Sequence, residues 1–377
     1  MTTHVSTRNR ILDRLGEQAA ERLTDGLRRT DAGARGLDLA SNDYLGLAGH
    51  PRVRAAAVQA IERYGTSARA SRLVTGTTPA HRDVEAALAD LTGRESGLVF
   101  SSGYTANLAA VTALSGPDCL IVSDAHNHAS LIDACRLSRA AVHRTPHLSL
   151  EAIEQALAAR SHAEAIVLVE SVYSVLGDAA DLPALLDLCV AYDALLIIDE
   201  AHGLGVVGHG RGAAAALTEH SDRVVVTATL SKALGSQGGA VLGPVAVREA
   251  LVNTARTFIF DTGLAPAAAA AANASVDLIA AGEAPVSRIA DNRRSLTAAL
   301  GIAEPAGAVV SVPMPSAEAA VTARDTLAVN GFTVGCFRPP SVPDGVSRLR
   351  VTCRGDLRTE EVLEAAAAIG ETAGLSR

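Results

Sequence analysis

Six short runs along the chain are apolar on both faces of an extended backbone: "GLVF" (97–100), "CLIVSD" (119–124), "AIVLVES" (165–171), "ALLIID" (194–199), "RVVVTA" (223–228) and "GAVLG" (239–243). Strands covered on both sides read this way, because neither face alternates with polar residues. Helix-like stretches lie between them. "SLEAIEQALAAR" opens at Ser149 and "DLPALLDLCVAYDA" at Asp181, side chains suited to cap a helix, and Pro183 falls in the first turn of the second. This alternation predicts an α/β fold: a mostly parallel central sheet with helices on both faces.

After about residue 275 the rhythm changes. "PVSRIADNRRSLTAALG" and "TEEVLEAAAAIGETA" read as helices, "AVVSVPM" and "RLRVTC" as strands, and "CFRPPSVPDG" as a proline-rich loop. The expected organisation is an N-terminal helical arm (1–40), a large α/β domain (41–275) and a smaller C-terminal α+β domain (276–377). No repeat or low-complexity linker interrupts it.

Composition narrows the function. Nearly half of the 377 residues are hydrophobic (48%) but only 3% are aromatic, so the core must be built from Ala, Val, Leu and Ile. The net charge of −8, with no basic run, argues against nucleic acid or an anionic membrane as partner. The charged first twenty residues lack an apolar signal segment, and "LAPAAAAAANA" from Leu264 is too short to span a bilayer. Five scattered cysteines without a C-x-x-C pair fit reduced thiols in the cytoplasm better than disulfides or a zinc site; no metal is expected.

Functional groups in open α/β sheets gather at the carboxyl ends of strands. There the chain carries "SSGYTAN", "AHNHASL", "VYSVLGD", "EAHG" and "TLSK", which deliver Gly103, Tyr104, His128, Ser174, Asp199, His202, Thr229 and Lys232. Taken singly, each has an ordinary structural role, as a turn, a cap or a hydrogen-bonded core histidine. The set says more. A desolvated lysine attacks an aldehyde. Hydroxyls and helix-start N–H groups suit a phosphate. A carboxylate at a strand end can keep a heterocyclic nitrogen protonated, and an imidazole can stack on a flat ring. Aldehyde, phosphate, ring nitrogen and ring together describe pyridoxal 5′-phosphate (PLP).

Ordered motifs along nearly the whole chain carry a resemblance. They are "SNDYLGLAGHP" (41–51), "SRLVTGTTPAHRDVEAALA" (71–89), "SSGYTAN", "DAHNHASLIDA", "IIDEAHGLGVVGHGRG" (197–212), "TLSKALGSQGG" and "RPPSVPDGVSRLRVT" (338–352). With these the chain resembles the α-oxoamine synthases among the fold-type-I PLP-dependent transferases. The resemblance implies that Lys232 anchors the cofactor aldehyde and later moves protons at Cα. It implies Asp199 at the pyridine nitrogen, His128 on the ring face and His202 at the phenolic oxygen. Gly103, Tyr104, Ser174 and Thr229 are implied around the phosphate end. Thr262 would reach the phosphate of a neighbouring subunit, which makes the site a homodimer property. Arg350 is implied for the amino-acid carboxylate, with Arg28 and Asn42 for the acyl substrate and product. The implied reaction is decarboxylative condensation of L-alanine with a pimeloyl thioester on coenzyme A or a carrier protein, as in biotin synthesis. Siblings that use glycine or serine share the motifs. "SVLGD" (174–178) and "FDTGLAP" (260–266) depart from the usual family wording, which touches the shape of the acyl loop more than the phosphate site. "DEAH" (199–202) also occurs in nucleic-acid motors, but the chain has no Gly-Lys dipeptide for the phosphate loop such motors need. A catalytically silent scaffold is countered by the intact Lys232, Asp199 and His128.

Overall fold

The computed structural model describes residues 9–29, 33 and 35–375. Eleven strands among them build two sheets. In chain order they are β1 (Leu37–Leu39), β2 (Ser96–Phe100), β3 (Cys119–Asp124), β4 (Ala141–Thr145), β5 (Glu164–Glu170), β6 (Leu195–Asp199), β7 (Val224–Thr229), β8 (Gly239–Gly243), β9 (Val309–Pro313), β10 (Phe332–Phe337) and β11 (Arg348–Thr352).

The large sheet runs β2-β8-β7-β6-β5-β3-β4. Strands β3 to β7 pair in parallel, while β8 is antiparallel to both its neighbours. The doubly apolar runs are buried as their pattern requires. On β5, Ala165, Val167 and Val169 enter one hydrophobic layer, and Ile166 and Leu168 enter the layer on the opposite face. Two layers of helices therefore cover the sheet, and all its parallel strands deliver their carboxyl ends to one edge.

The small sheet runs β1-β10-β11-β9 around a separate apolar cluster that includes Val310, Val312, Leu349, Val351 and Ile369. Strand β1 pairs in parallel with β10, so the expected helical arm 1–40 consists of a helix, Arg10–Thr24, and then a strand in this sheet. Residues 1–8, 30–32 and 34 of that arm lie outside the described residues. The helix Pro266–Ala280 crosses the boundary expected at 275. The proline-rich loop begins at Arg338, because Cys336 and Phe337 are still paired in β10. Among the described residues, no helix is long and apolar enough to cross a membrane.

Candidate active site

Lys232 follows β7 by three residues, in a loop whose two ends are tied together. Leu230 N–H donates to the Gly238 carbonyl at 2.9 Å, and Thr229 Oγ1 donates to the same oxygen at 3.1 Å. Gly235, with φ of +56°, makes the turn that a side chain would block: a Cβ there would meet the Ala48 nitrogen at 2.3 Å. The lysine amine lies 2.8 Å from His202 Nε2. Burial, together with the charge of Arg350, brings its pKa down to about 8, although Asp199 and Glu170 oppose the shift. His202, just after β6, is buried and held well below its ordinary value by burial and by the charge of Lys232, so it is a neutral imidazole. Its Nδ1 lies 2.6 Å from the hydroxyl of buried Tyr44. The Tyr44 hydroxyl donates to Asn42 Oδ1, which also accepts from Arg350 Nη1 at 3.0 Å. A hydrogen-bonded chain thus runs from the lysine amine to a guanidinium.

A second chain starts at Asp199, at the end of β6. Its carboxylate accepts from the Ala201 N–H at 2.8 Å and from Asn107 Nδ2 at 2.7 Å. Asn107 also donates to Ser130 Oγ at 2.8 Å, and Ser130 Oγ lies 2.8 Å from His128 Nδ1. Glu170, the register partner of Asp199 on β5, is a fully buried carboxyl whose pKa burial foremost, and then Asp199, raise well above the ordinary carboxylate value.

The helix Gly103–Leu114 starts at the same edge, capped by Ser102 Oγ on the Thr105 N–H at 3.1 Å. The N–H groups of Gly103 and Tyr104 belong to the first turn, where helices have no internal acceptor. The Ser102–Gly103 turn is pressed onto the sheet. A Cβ on Gly239 would meet the Ser102 carbonyl oxygen at 2.3 Å, and one on Gly103 would meet Thr229 Cβ at 3.1 Å. We therefore expect Gly239→Ala to lower stability by about 1–3 kcal/mol through overpacking. Where the Gly103 N–H holds the cofactor phosphate, as the family resemblance implies, the substitution should also weaken cofactor binding; thermal melts and a cofactor titration read the two effects.

Gly103, Tyr104, His128, Asp199, Thr229 and Lys232 line one cavity of about 170 Å³. Asn42, Ser174 and Arg350 instead line an adjoining cavity of about 580 Å³, which shares His128, His202 and Lys232 with the first. Ser174 is thus separated from Gly103, Tyr104 and Thr229, because it follows β5 on the side of the small sheet; its carbonyl accepts from Arg350 Nε at 2.8 Å. Arg28 and Thr262 are exposed and line neither cavity. Reasoning from strand ends alone missed Tyr44, Asn107, Ser130 and Glu170. All four lie inside or beside the quoted motifs, and only the folded contacts give them roles.

These residues fit PLP: a partly neutral amine for its aldehyde, first-turn N–H groups and a hydroxyl for its phosphate, a carboxylate for its ring nitrogen, and a cradle that a Cβ would fill. Fold and site together define a fold-type-I PLP-dependent enzyme. The sequence profile of the class I and II aminotransferases matches residues 34–369, and the chain belongs to that family. It is 52% identical over 357 residues to the 8-amino-7-oxononanoate synthase of Mycobacterium sp. (strain JLS), an alignment that covers 92% of this chain and 93% of the relative. Among solved structures, a lysine-to-alanine variant of serine palmitoyltransferase from S. paucimobilis with a bound PLP–myriocin aldimine superposes with a TM-score of 0.88 at 28% identity, over 97% of this chain and 100% of the other. An 8-amino-7-oxononanoate synthase from Francisella tularensis superposes at 0.76 and 26% identity, over 89% and 97%.

Proposed function

We propose that this chain condenses L-alanine with a pimeloyl thioester to give 8-amino-7-oxononanoate, CO₂ and the free thiol of coenzyme A or a carrier protein. The observation that carries the chemistry is Lys232, whose amine, with a pKa of about 8, stands where the two cavities meet. The substrates rest on the 52% identity to 8-amino-7-oxononanoate synthases over nearly the whole chain.

Bound PLP supplies an electron sink for the negative charge that develops at the amino acid's Cα. The chain's residues do the rest. Lys232 holds the aldehyde carbon, then removes and returns the proton at Cα, with neutral His202 orienting its amine. Asp199 keeps the ring nitrogen protonated, and its link through Asn107 and Ser130 fixes the ring-stacking imidazole of His128. Gly103, Tyr104 and Thr229 bind the phosphate. Arg350 grips the carboxylate of alanine, since a guanidinium binds carboxylates bidentately. The larger cavity, with Asn42 and Ser174 on its wall, takes the acyl chain; Arg28 lies outside it.

The working unit is a homodimer in which Thr262 reaches the neighbouring phosphate. Its exposure, beside exposed Phe260, supports this. All five cysteines are free thiols, which supports a cytoplasmic, reducing setting.

The test is the visible spectrum of the protein with PLP, before and after L-alanine, glycine and L-serine. A band that responds most strongly to L-alanine, followed by product with pimeloyl thioester, is expected. A preference for glycine or serine would move the function to a sibling synthase, and the absence of any band would overturn the reading.

A further inference from the structure

One cluster of titratable groups lies under the loops that form the cavity walls, and of its members only His126 lines a cavity. Asp124 ends β3, and the next four residues lead to His128. Its Oδ1 accepts from the His126 N–H at 2.7 Å and lies 2.8 Å from His147 Nδ1, and its Oδ2 accepts from the Leu148 N–H at 2.8 Å. The other ring nitrogen of His147, Nε2, lies 2.8 Å from Asp178 Oδ2. Asp178 closes the turn that carries Ser174: its carbonyl accepts from the Tyr173 N–H at 2.8 Å. The His126 ring stacks on His147 with centroids 3.7 Å apart, and Tyr173 meets His147 edge-on at 4.5 Å. With a carboxylate at each ring nitrogen, both nitrogens donate, and the imidazole is a cation. One side chain from the segment after β4 thus joins the loop after β3 to the turn after β5.

We propose that His147 is a positioning residue: as a cation clamped between Asp124 and Asp178, it locks the His128 loop to the Ser174 turn and so fixes the spacing of the walls that hold cofactor and acyl group. This rests on the assignment of those walls to PLP and the acyl chain. Two contacts support the same linkage. Arg144 donates to the Ala125 carbonyl at 2.8 Å, and the Ala125 N–H donates to the Thr145 carbonyl at 3.0 Å, so the strand leading to His147 also grips the His128 loop. His126 lines the acyl cavity, and burial and the His147 charge hold it below its ordinary value.

The charge state follows from the surroundings. Burial alone would lower the pKa of His147, but Asp124 and Asp178 outweigh it and raise it to about 9. The groups facing the ring are Asp124 from β3, Asp178 and Tyr173 from the segment after β5, and His126; Asp344 acts on His126, and Arg144 is held on the Ala125 carbonyl. A histidine raised on folding stabilises fully below its unfolded value of about 6.5, and that stability is lost as pH rises through about 9.

The experiment compares wild type with His147→Gln and Asp178→Asn. Apo-protein melts from pH 6 to 10 are expected to show a gap between wild type and His147→Gln that is widest at pH 6–6.5 and narrows through pH 9. At pH 7.5 the visible band should report PLP binding about tenfold weaker in both variants, with kcat lowered even at saturating cofactor. If His147→Gln does not fold, Asp178→Asn, which keeps the Asp124 pair, carries the same comparisons. A gap that does not change with pH would refute the cationic clamp. A pH-dependent gap with unchanged PLP affinity and kcat would refute the positioning role. A wild type that binds no PLP would instead overturn the functional reading on which the proposal rests.

Discussion

Lys232→Ala is expected to cut turnover by more than about 10⁴-fold while leaving the protein folded. Proton transfer by a positioned side chain supplies about 10²–10⁴ by itself, and this substitution also removes the group proposed to hold the cofactor aldehyde. Stability should not suffer in proportion. Burial lowers the lysine's pKa from 10.5 to about 8, so the folded state binds that proton less tightly than the unfolded chain does. The charged amine therefore opposes folding below about pH 8, and the opposition fades as pH rises toward 10.5. At pH 7 the apo variant should melt no lower than apo wild type. The measurement is turnover under saturating substrates beside a thermal melt; substantial turnover in the variant would sink the mechanism.

Asp199→Asn is expected to cost about 10²–10³ in kcat, the order reached when one preorganised electrostatic partner is removed. The substitution is nearly isosteric, and the amide oxygen can still accept from Asn107 Nδ2 or the Ala201 N–H, so the fold and the link to His128 should persist. What is lost is the negative charge proposed to keep the ring nitrogen protonated. The visible band should also shift, which separates this effect from unfolding. Near-normal rates with an unchanged spectrum would remove Asp199 from its role.

The sequence was most legible where both faces of a strand are buried. The six doubly apolar runs correspond to β2, β3, β5, β6, β7 and β8, with no end moved by more than one residue. Strand β4, "AVHRT", escaped because it is an edge strand whose middle residues are exposed, so its composition reads as loop. Strand β10, "FTVGCF", is only half-buried and holds a glycine, and β1 is three residues long. The same logic governs the site. Gly103, Tyr104, His128, Asp199, Thr229 and Lys232 come together because each ends or follows a strand of one sheet, and strand order alone brings them near. Ser174 follows such a strand too, yet its turn leans toward the small sheet, where Arg350 of β11 holds its carbonyl, and a pattern of strand ends does not encode that lean. Glu170 was hidden because a carboxyl inside an apolar run reads as the end of the strand; its interest comes from its neighbour Asp199 across the sheet.

The reversed direction of β8 has a consequence for motion. Because β8 runs against β7, the segment between them leaves the sheet and returns at the same edge, and its ends are hydrogen-bonded to each other. The backbone that carries Lys232 is a closed, pinned loop. In the proposed mechanism the amine therefore changes task by rotation about its own side-chain bonds, without rearrangement of the loop that carries it. Slow steps of the catalytic cycle, on the microsecond-to-millisecond scale of segmental rearrangement, belong elsewhere. The segment from Arg338 to Pro343 is the natural place to look for them, because it walls the larger cavity and is tied to the N-terminal chain through Arg338 and the Gly26 carbonyl.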